Sequence, residues 1–259
     1  MIPILRIVRD LFFPPCCVGC GKRLAPSTGK GKTPYFCRDC ALEWEKSLLA
    51  QCPDCFAAYS ECNCQPHAMK RTGCAGLIKL APYHTEGAHQ TVGHAIHSMK
   101  RTPRSRVFLC CAEELSDRLL KSVDASQEKT PISRTVIVHL PRSLQNAKRY
   151  GFDQARELAR ALSRVSAYPH LRVLKRVKKN LEQKKLTVKE RQANLKGAFA
   201  LTGDVRGCRV ILVDDVVTTG VGMAEAIKIL KKGGAAEVLP VCVAVTVKKH
   251  QGASFPKFS

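Results

Sequence analysis

From about residue 77 onward, the apolar positions switch between two periods. Thr135, Val136, Ile137 and Val138 form a β-branched run that reads as a strand. Residues 154–165 place Leu158, Ala161, Leu162 and Val165 at helical spacing, and residues 85–101 and 112–122 also read as helices. Residues 209–213 make an apolar strand suited to burial on both faces. A helix over 223–232 follows, stopped by Gly233 and Gly234, and residues 238–247 return as a strand. Strand, helix and strand at this spacing predict an α/β fold with a parallel sheet, right-handed crossovers and helices on both faces. Before residue 77 the texture is different. Ile4, Leu5, Val8, Leu11 and Phe12 would lie near one face of a short helix over residues 1–13, which Pro14 and Pro15 end. The pattern thus divides the chain into a small module at 1–66, a connecting stretch at 67–76, an α/β domain at 77–247 and a loose polar tail at 248–259.

The composition supports a folded chain: 45% of the 259 residues are hydrophobic, enough for a sizeable core. The longest apolar run, 238–247, contains Pro240 and falls well short of the roughly 20 residues a membrane helix needs. Arg6, Arg9 and Asp10 interrupt the N-terminal apolar stretch, which is therefore no secretion signal. A cytoplasmic protein without membrane insertion is expected. The formal net charge is +22, and residues 142–196 alone carry a net +12. Such density suits a polyanionic partner, with nucleic acid first, although a solvated surface would also account for it. With 6% aromatic residues, no base-stacking platform is evident.

The cysteines sharpen the picture. Of 14, nine fall between Cys16 and Cys64. Four close pairs stand in order: Cys17 and Cys20, Cys37 and Cys40, Cys52 and Cys55, Cys62 and Cys64. In a reducing compartment, two such turns offer one tetrahedral ion a closed shell of four thiolates. Two structural zinc ions are expected. The pairs combine either sequentially (17/20/37/40, then 52/55/62/64), which is preferred, or in an interleaved cross-brace. Cys16 could replace Cys17, and His67 could replace Cys64. Cys74, Cys110, Cys111, Cys208 and Cys242 read as small buried apolar residues.

A second motif follows the strand at 209–213: Asp214, Asp215, Val216, Val217, Thr218, Thr219 and Gly220. Ligands of open α/β sheets bind at the carboxyl edge, to which this string delivers two acids. The Thr218, Thr219 and Gly220 loop then opens a helix, where inward backbone N–H groups favour a phosphate. The carboxylates can accept from sugar hydroxyls, directly or through a divalent ion. An ordinary acidic turn would explain the two aspartates alone, but not the whole string. No Gly-Lys-Ser/Thr ending is present, so this is not a Walker A loop.

The string resembles the phosphoribosyl pyrophosphate (PRPP) motif of type I phosphoribosyltransferases, and its union with a preceding double zinc ribbon resembles the ComF family of competence and DNA-uptake proteins. The segment Tyr150, Gly151, Phe152, Asp153, Gln154 looks like the family's Arg-Gly-Phe-Asn-Gln, and a second basic segment is matched by Gln183, Lys184, Leu186, Arg191, Asn194 and Gly197. Tyr83 and Lys100 stand where the family has its early Tyr and helix-end Lys. The resemblance implies a type I phosphoribosyltransferase-like sheet behind the ribbon module. It implies that Asp214 and Asp215 hold ribose hydroxyls, with Val217 in the same binding string. The resemblance likewise implies that Thr218, Thr219 and Gly220 hold the 5′-phosphate. By the same resemblance Arg142, Lys148 and Arg149 are expected near the pyrophosphate or the pocket mouth, with Arg191 in the same basic belt, and Mg²⁺ is expected to accompany PRPP. Gly222 departs from the family, which usually has a hydroxyl residue there, as do Tyr150 and Asp153.

Three functions fit these features. The first is a PRPP-binding protein that handles single-stranded DNA during natural competence, with a competence helicase as a partner implied by the resemblance. The second is an active phosphoribosyltransferase acting on a nucleobase or related amine. The third is a non-catalytic, PRPP-sensing nucleic-acid adaptor.

Overall fold

The computed structural model describes residues 14–25, 34–83, 91–103, 106–126, 132–142, 151–177, 195 and 197–247. The expected N-terminal helix, the tail, Lys148, Arg149 and Arg191 lie outside the described residues.

A five-stranded sheet, parallel throughout, forms the frame. Its strands are β1 (Ile78–Tyr83), β2 (Arg134–His139), β3 (His170–Leu171), β6 (Cys208–Val217) and β7 (Glu237–Thr246), in the order β1-β7-β6-β2-β3. The strands β4 (Leu174–Arg176) and β5 (Phe199–Leu201) form a separate antiparallel pair. The central strands are apolar on both sides because both faces are covered. Alternation along β6 sends Ile211 and Val213 to one face, and Val210 and Leu212 to the other.

The first face packs against α3 (Thr91–Met99), α4 (Arg106–Ser126) and α5 (Gln154–Ser166) through Ile96, Met99, Leu115, Leu119, Leu158 and Leu162. The Asp153 side chain caps α5, accepting from the Arg156 N–H at 3.2 Å. The second face packs against α6 (Val221–Lys232) through Met223, Ile227 and Leu230.

The cysteine-rich segment folds back onto this frame. Its helix α1 (Arg38–Leu48) buries Trp44, which stacks on Phe36 with ring centroids 5.2 Å apart and joins the first-face core with Ile78. The connecting stretch carries a one-turn helix, α2 (His67–Lys70), whose Met69 is fully buried in the second-face core. Thr72 and Gly73 offer their carbonyls to Lys231 of α6 at 2.9 and 2.8 Å. None of the described helices is long and apolar enough to cross a membrane.

Candidate functional site

The strand expected over 209–213 continues to Val217, because β7 supplies backbone partners up to Val216 with Ala244 and Val217 with Val245. Asp214 and Asp215 therefore lie within β6, and adjacent strand residues face opposite sides. Asp214 stands in register with Cys242 of β7, which is in register with Lys79 of β1. Asp215 is buried and pairs with the Arg142 guanidinium from beyond β2. The Arg142 N–H donates to Asp153 Oδ2 at 3.0 Å, so the cap of α5 also fixes the arginine. Burial, reinforced by the neighbouring Asp215 charge, pushes the Asp214 carboxyl well above the usual carboxylate range. Burial likewise raises the carboxyl of Asp153.

Beyond β6 the chain bends through Thr218 and Thr219 to Gly220, whose left-handed φ of 73° starts α6. The helix has no side-chain cap at this end. Val217 contributes its side chain to the core rather than to the loop. Among the residues named from the motif, Arg142 and Asp215 thus meet directly, while Thr218 and Thr219 open onto a cavity of about 580 Å³. The cavity is also lined by the second cysteine-rich segment, including Tyr59 and Gln65, by His67 of α2 and by the end of β7 at Thr246.

The thiols gather in the two sequential groups. In each of Cys17/Cys20/Cys37/Cys40 and Cys52/Cys55/Cys62/Cys64, the sulfurs all lie within 4.8 Å of one another. Cys20 and Cys37 sulfurs are 3.7 Å apart, and those of Cys55 and Cys62 are 3.4 Å apart. A tetrahedral ion with metal–sulfur bonds of about 2.3 Å holds its sulfurs roughly 3.8 Å apart, so the donor sets fit zinc. Burial works against the Cys17 thiolate, but backbone N–H groups of Cys20, Cys37 and Gly19 outweigh it and lower the pKa to about 7. Burial and the crowding of Cys55 and Cys62 push Cys64 up to about 12, a cost that a bound cation would remove. Cys16 is exposed and outside the first group. The remaining five cysteines are buried singly or within the core, as their spacing implies.

Two features were missed by sequence reasoning. Lys79 is buried against the second thiol group; its signal was a charge inside the apolar run Leu77 to Ala81. His139 and His170, brought together across β2 and β3, have ring nitrogens 3.0 Å apart, and 31 residues of separation hide them in the sequence.

The family described as phosphoribosyl transferase domain matches residues 148–259. The chain is 31% identical over 200 residues to the DNA utilization protein YhgH of Escherichia coli K12, covering 76% of this chain and 84% of that protein. It is 28% identical over 205 residues to YhgH of Salmonella typhimurium, covering 78% and 87%. Competence protein F of Haemophilus influenzae is 43% identical over 94 residues, covering 35% of this chain and 41% of that protein. With its paired thiol groups ahead of a parallel sheet and this kinship along most of its length, the chain belongs to the ComF family of competence and DNA-utilization proteins.

Proposed function

We propose that this protein binds PRPP, or a closely related phosphoribosyl ligand, at the carboxyl edge of β6 and handles single-stranded DNA during its uptake or use in the cytoplasm. One observation carries the reading: the end of β6 brings the Arg142 to Asp215 pair and, a few residues on, the Thr218, Thr219, Gly220 bend to the carboxyl edge of the sheet, where Thr218 and Thr219 line a cavity of about 580 Å³. Carboxylates there can accept from ribose hydroxyls, and the start of α6 favours a phosphate. Arg142 can turn from Asp215 to a pyrophosphate oxygen when the sugar takes its place. Where Mg²⁺ accompanies the ligand, Asp214 and Asp215 are the oxygen donors at hand. The Cys17/Cys20/Cys37/Cys40 and Cys52/Cys55/Cys62/Cys64 groups hold one structural zinc ion each. Their closed shells leave no position for a reactive water, so zinc supplies folding energy rather than chemistry.

The relatives' names support the DNA context, and the net charge of +22 supports a polyanionic partner. Calorimetric titration with PRPP, with and without Mg²⁺ and a single-stranded oligonucleotide, tests the reading. Saturable binding is expected; no heat or displacement under any of these conditions overturns it. A transferase reading draws on the same cavity, whose size accommodates an acceptor ring beside the threonine loop. Pyrophosphate release from PRPP with a panel of bases would favour it over an adaptor that binds PRPP without turnover.

A further inference from the structure

Among the described residues, the two thiol groups have different polar neighbours. Around the first, Arg106 donates to the carbonyls of Pro34 and Cys16 at 2.8 and 3.4 Å, and His94 Nδ1 lies 2.7 Å from the Gly19 carbonyl. Against the second, a lysine is buried. Lys79 is 2% exposed, and its Nζ donates to the carbonyls of Cys62 and Cys64 at 2.8 and 2.7 Å and to the Cys62 sulfur at 3.2 Å. The ammonium also lies 5.8 Å from the centroid of the Tyr59 ring. Three acceptors therefore use its three donors.

Burying an ammonium is expensive unless a negative charge compensates it. Two carbonyls and a neutral thiol would not. Four thiolates around a divalent cation carry a double negative charge, and the ammonium beside the Cys62 sulfur offsets part of it. The position is also structural: Lys79 belongs to β1, so its contacts fasten the ribbon segment to the sheet on the face where Cys242 and Asp214 share its row.

We propose that Lys79 is the positioning charge partner of a metal ion held by Cys52, Cys55, Cys62 and Cys64. This rests on the zinc reading above but not on the PRPP reading. Groups that touch metal ligands in this way commonly set affinity and release within a factor of about 10 to 100.

The test follows zinc release from the full-length, zinc-loaded chain into excess chromogenic chelator. Release in two phases is expected, each assigned by its loss in Cys37→Ser or Cys62→Ser. Lys79→Gln should accelerate the phase lost in Cys62→Ser by about 10-fold or more and leave the other unchanged. Lys79→Arg, which retains the charge, should restore much of the slow release. Wild-type release from Lys79→Gln, or equal acceleration of both phases, overturns the proposal. If Lys79→Gln does not fold, amine labelling of the two cysteine variants, which keep Lys79, decides. Lys79 should be protected in Cys37→Ser protein and labelled in Cys62→Ser protein; labelling that is the same in both overturns it. Purified protein with zinc bound but no Lys79 effect sinks this inference alone, whereas protein that binds no metal sinks the zinc reading with it.

Discussion

Arg142, just beyond β2, places its guanidinium on the carboxylate of Asp215 in β6, and both side chains are largely withdrawn from water. The pair ties two neighbouring strands at the edge where the proposed ligand binds. Removing one member leaves the other buried without its counter-charge. Asp215→Ala should therefore lower stability by about 3 kcal/mol or more, measured by denaturant unfolding. The gentler double change Asp214→Asn with Asp215→Asn should abolish PRPP binding in calorimetry while zinc content stays at the wild-type level. Undiminished PRPP affinity in that variant would place the ligand elsewhere.

Gly19 lies against the first thiol group. A Cβ there would come within 2.7 Å of the Cys40 sulfur and 2.9 Å of its Cβ. Gly19→Ala and Cys37→Ser should each lower the zinc content, measured by elemental analysis, from the two ions per chain expected of the wild type to one, with the second group still loaded. Loss of both ions together would show that the groups do not bind independently.

Gly220 joins the loop to the ribbon segment. Its φ is +73°, and a Cβ would lie 2.9 Å from Pro66 Cβ and 3.0 Å from Met69 Cγ. Gly220→Ala combines left-handed strain with a collision in the core, and should destabilise the protein by about 1 to 3 kcal/mol. The same change should weaken PRPP binding, because it shifts the start of α6. A variant with wild-type melting temperature would refute the close packing of ribbon and loop.

His139 and His170 make stability depend on pH. Burial first, then nearby positive charges (His170 for His139, and arginines including Arg156, Arg160 and Arg172 around both), lower His139 to about 3 and His170 to about 4. Both lie below the unfolded value near 6.5, so the unfolded chain binds more protons in the interval. Their contribution is complete above about pH 6.5 and falls as the pH drops toward 4 and then 3. The slope is at most about 1.4 kcal/mol per pH unit for each histidine. Unfolding measured from pH 7 to pH 4 should show this decline, and His139→Gln should flatten it.

If the basic surface meets nucleic-acid phosphates, single-stranded oligonucleotide affinity should fall steeply and linearly on a double-logarithmic salt plot. Binding that ignores salt would remove the electrostatic basis for the DNA reading.

Much of the frame was legible. Residues 135–138, 154–165, 223–232 and 238–247 fall within or closely match β2, α5, α6 and β7, because their apolar spacing agrees with their burial. The helix expected over 112–122 begins earlier, at Arg106, and extends to Ser126. Strand β1 was obscured by Lys79 and Pro82, which an edge strand tolerates. Helices α1 and α2 were hidden by the cysteine pattern, and α2 is too short to show a period.

By itself, the amino-acid order determined what is local or periodic: the paired thiols, the β–α alternation and the acidic string leading into a helix. Spacing fixes which side chains can converge over a few residues, and burial imprints a period on longer segments. Only the tertiary structure decided how far β6 runs, that Arg142 meets Asp215, that the second thiol group faces the threonine loop, and that Lys79 reaches Cys62. Those contacts join residues far apart in the chain, where no period or short spacing records which partner a charge will find.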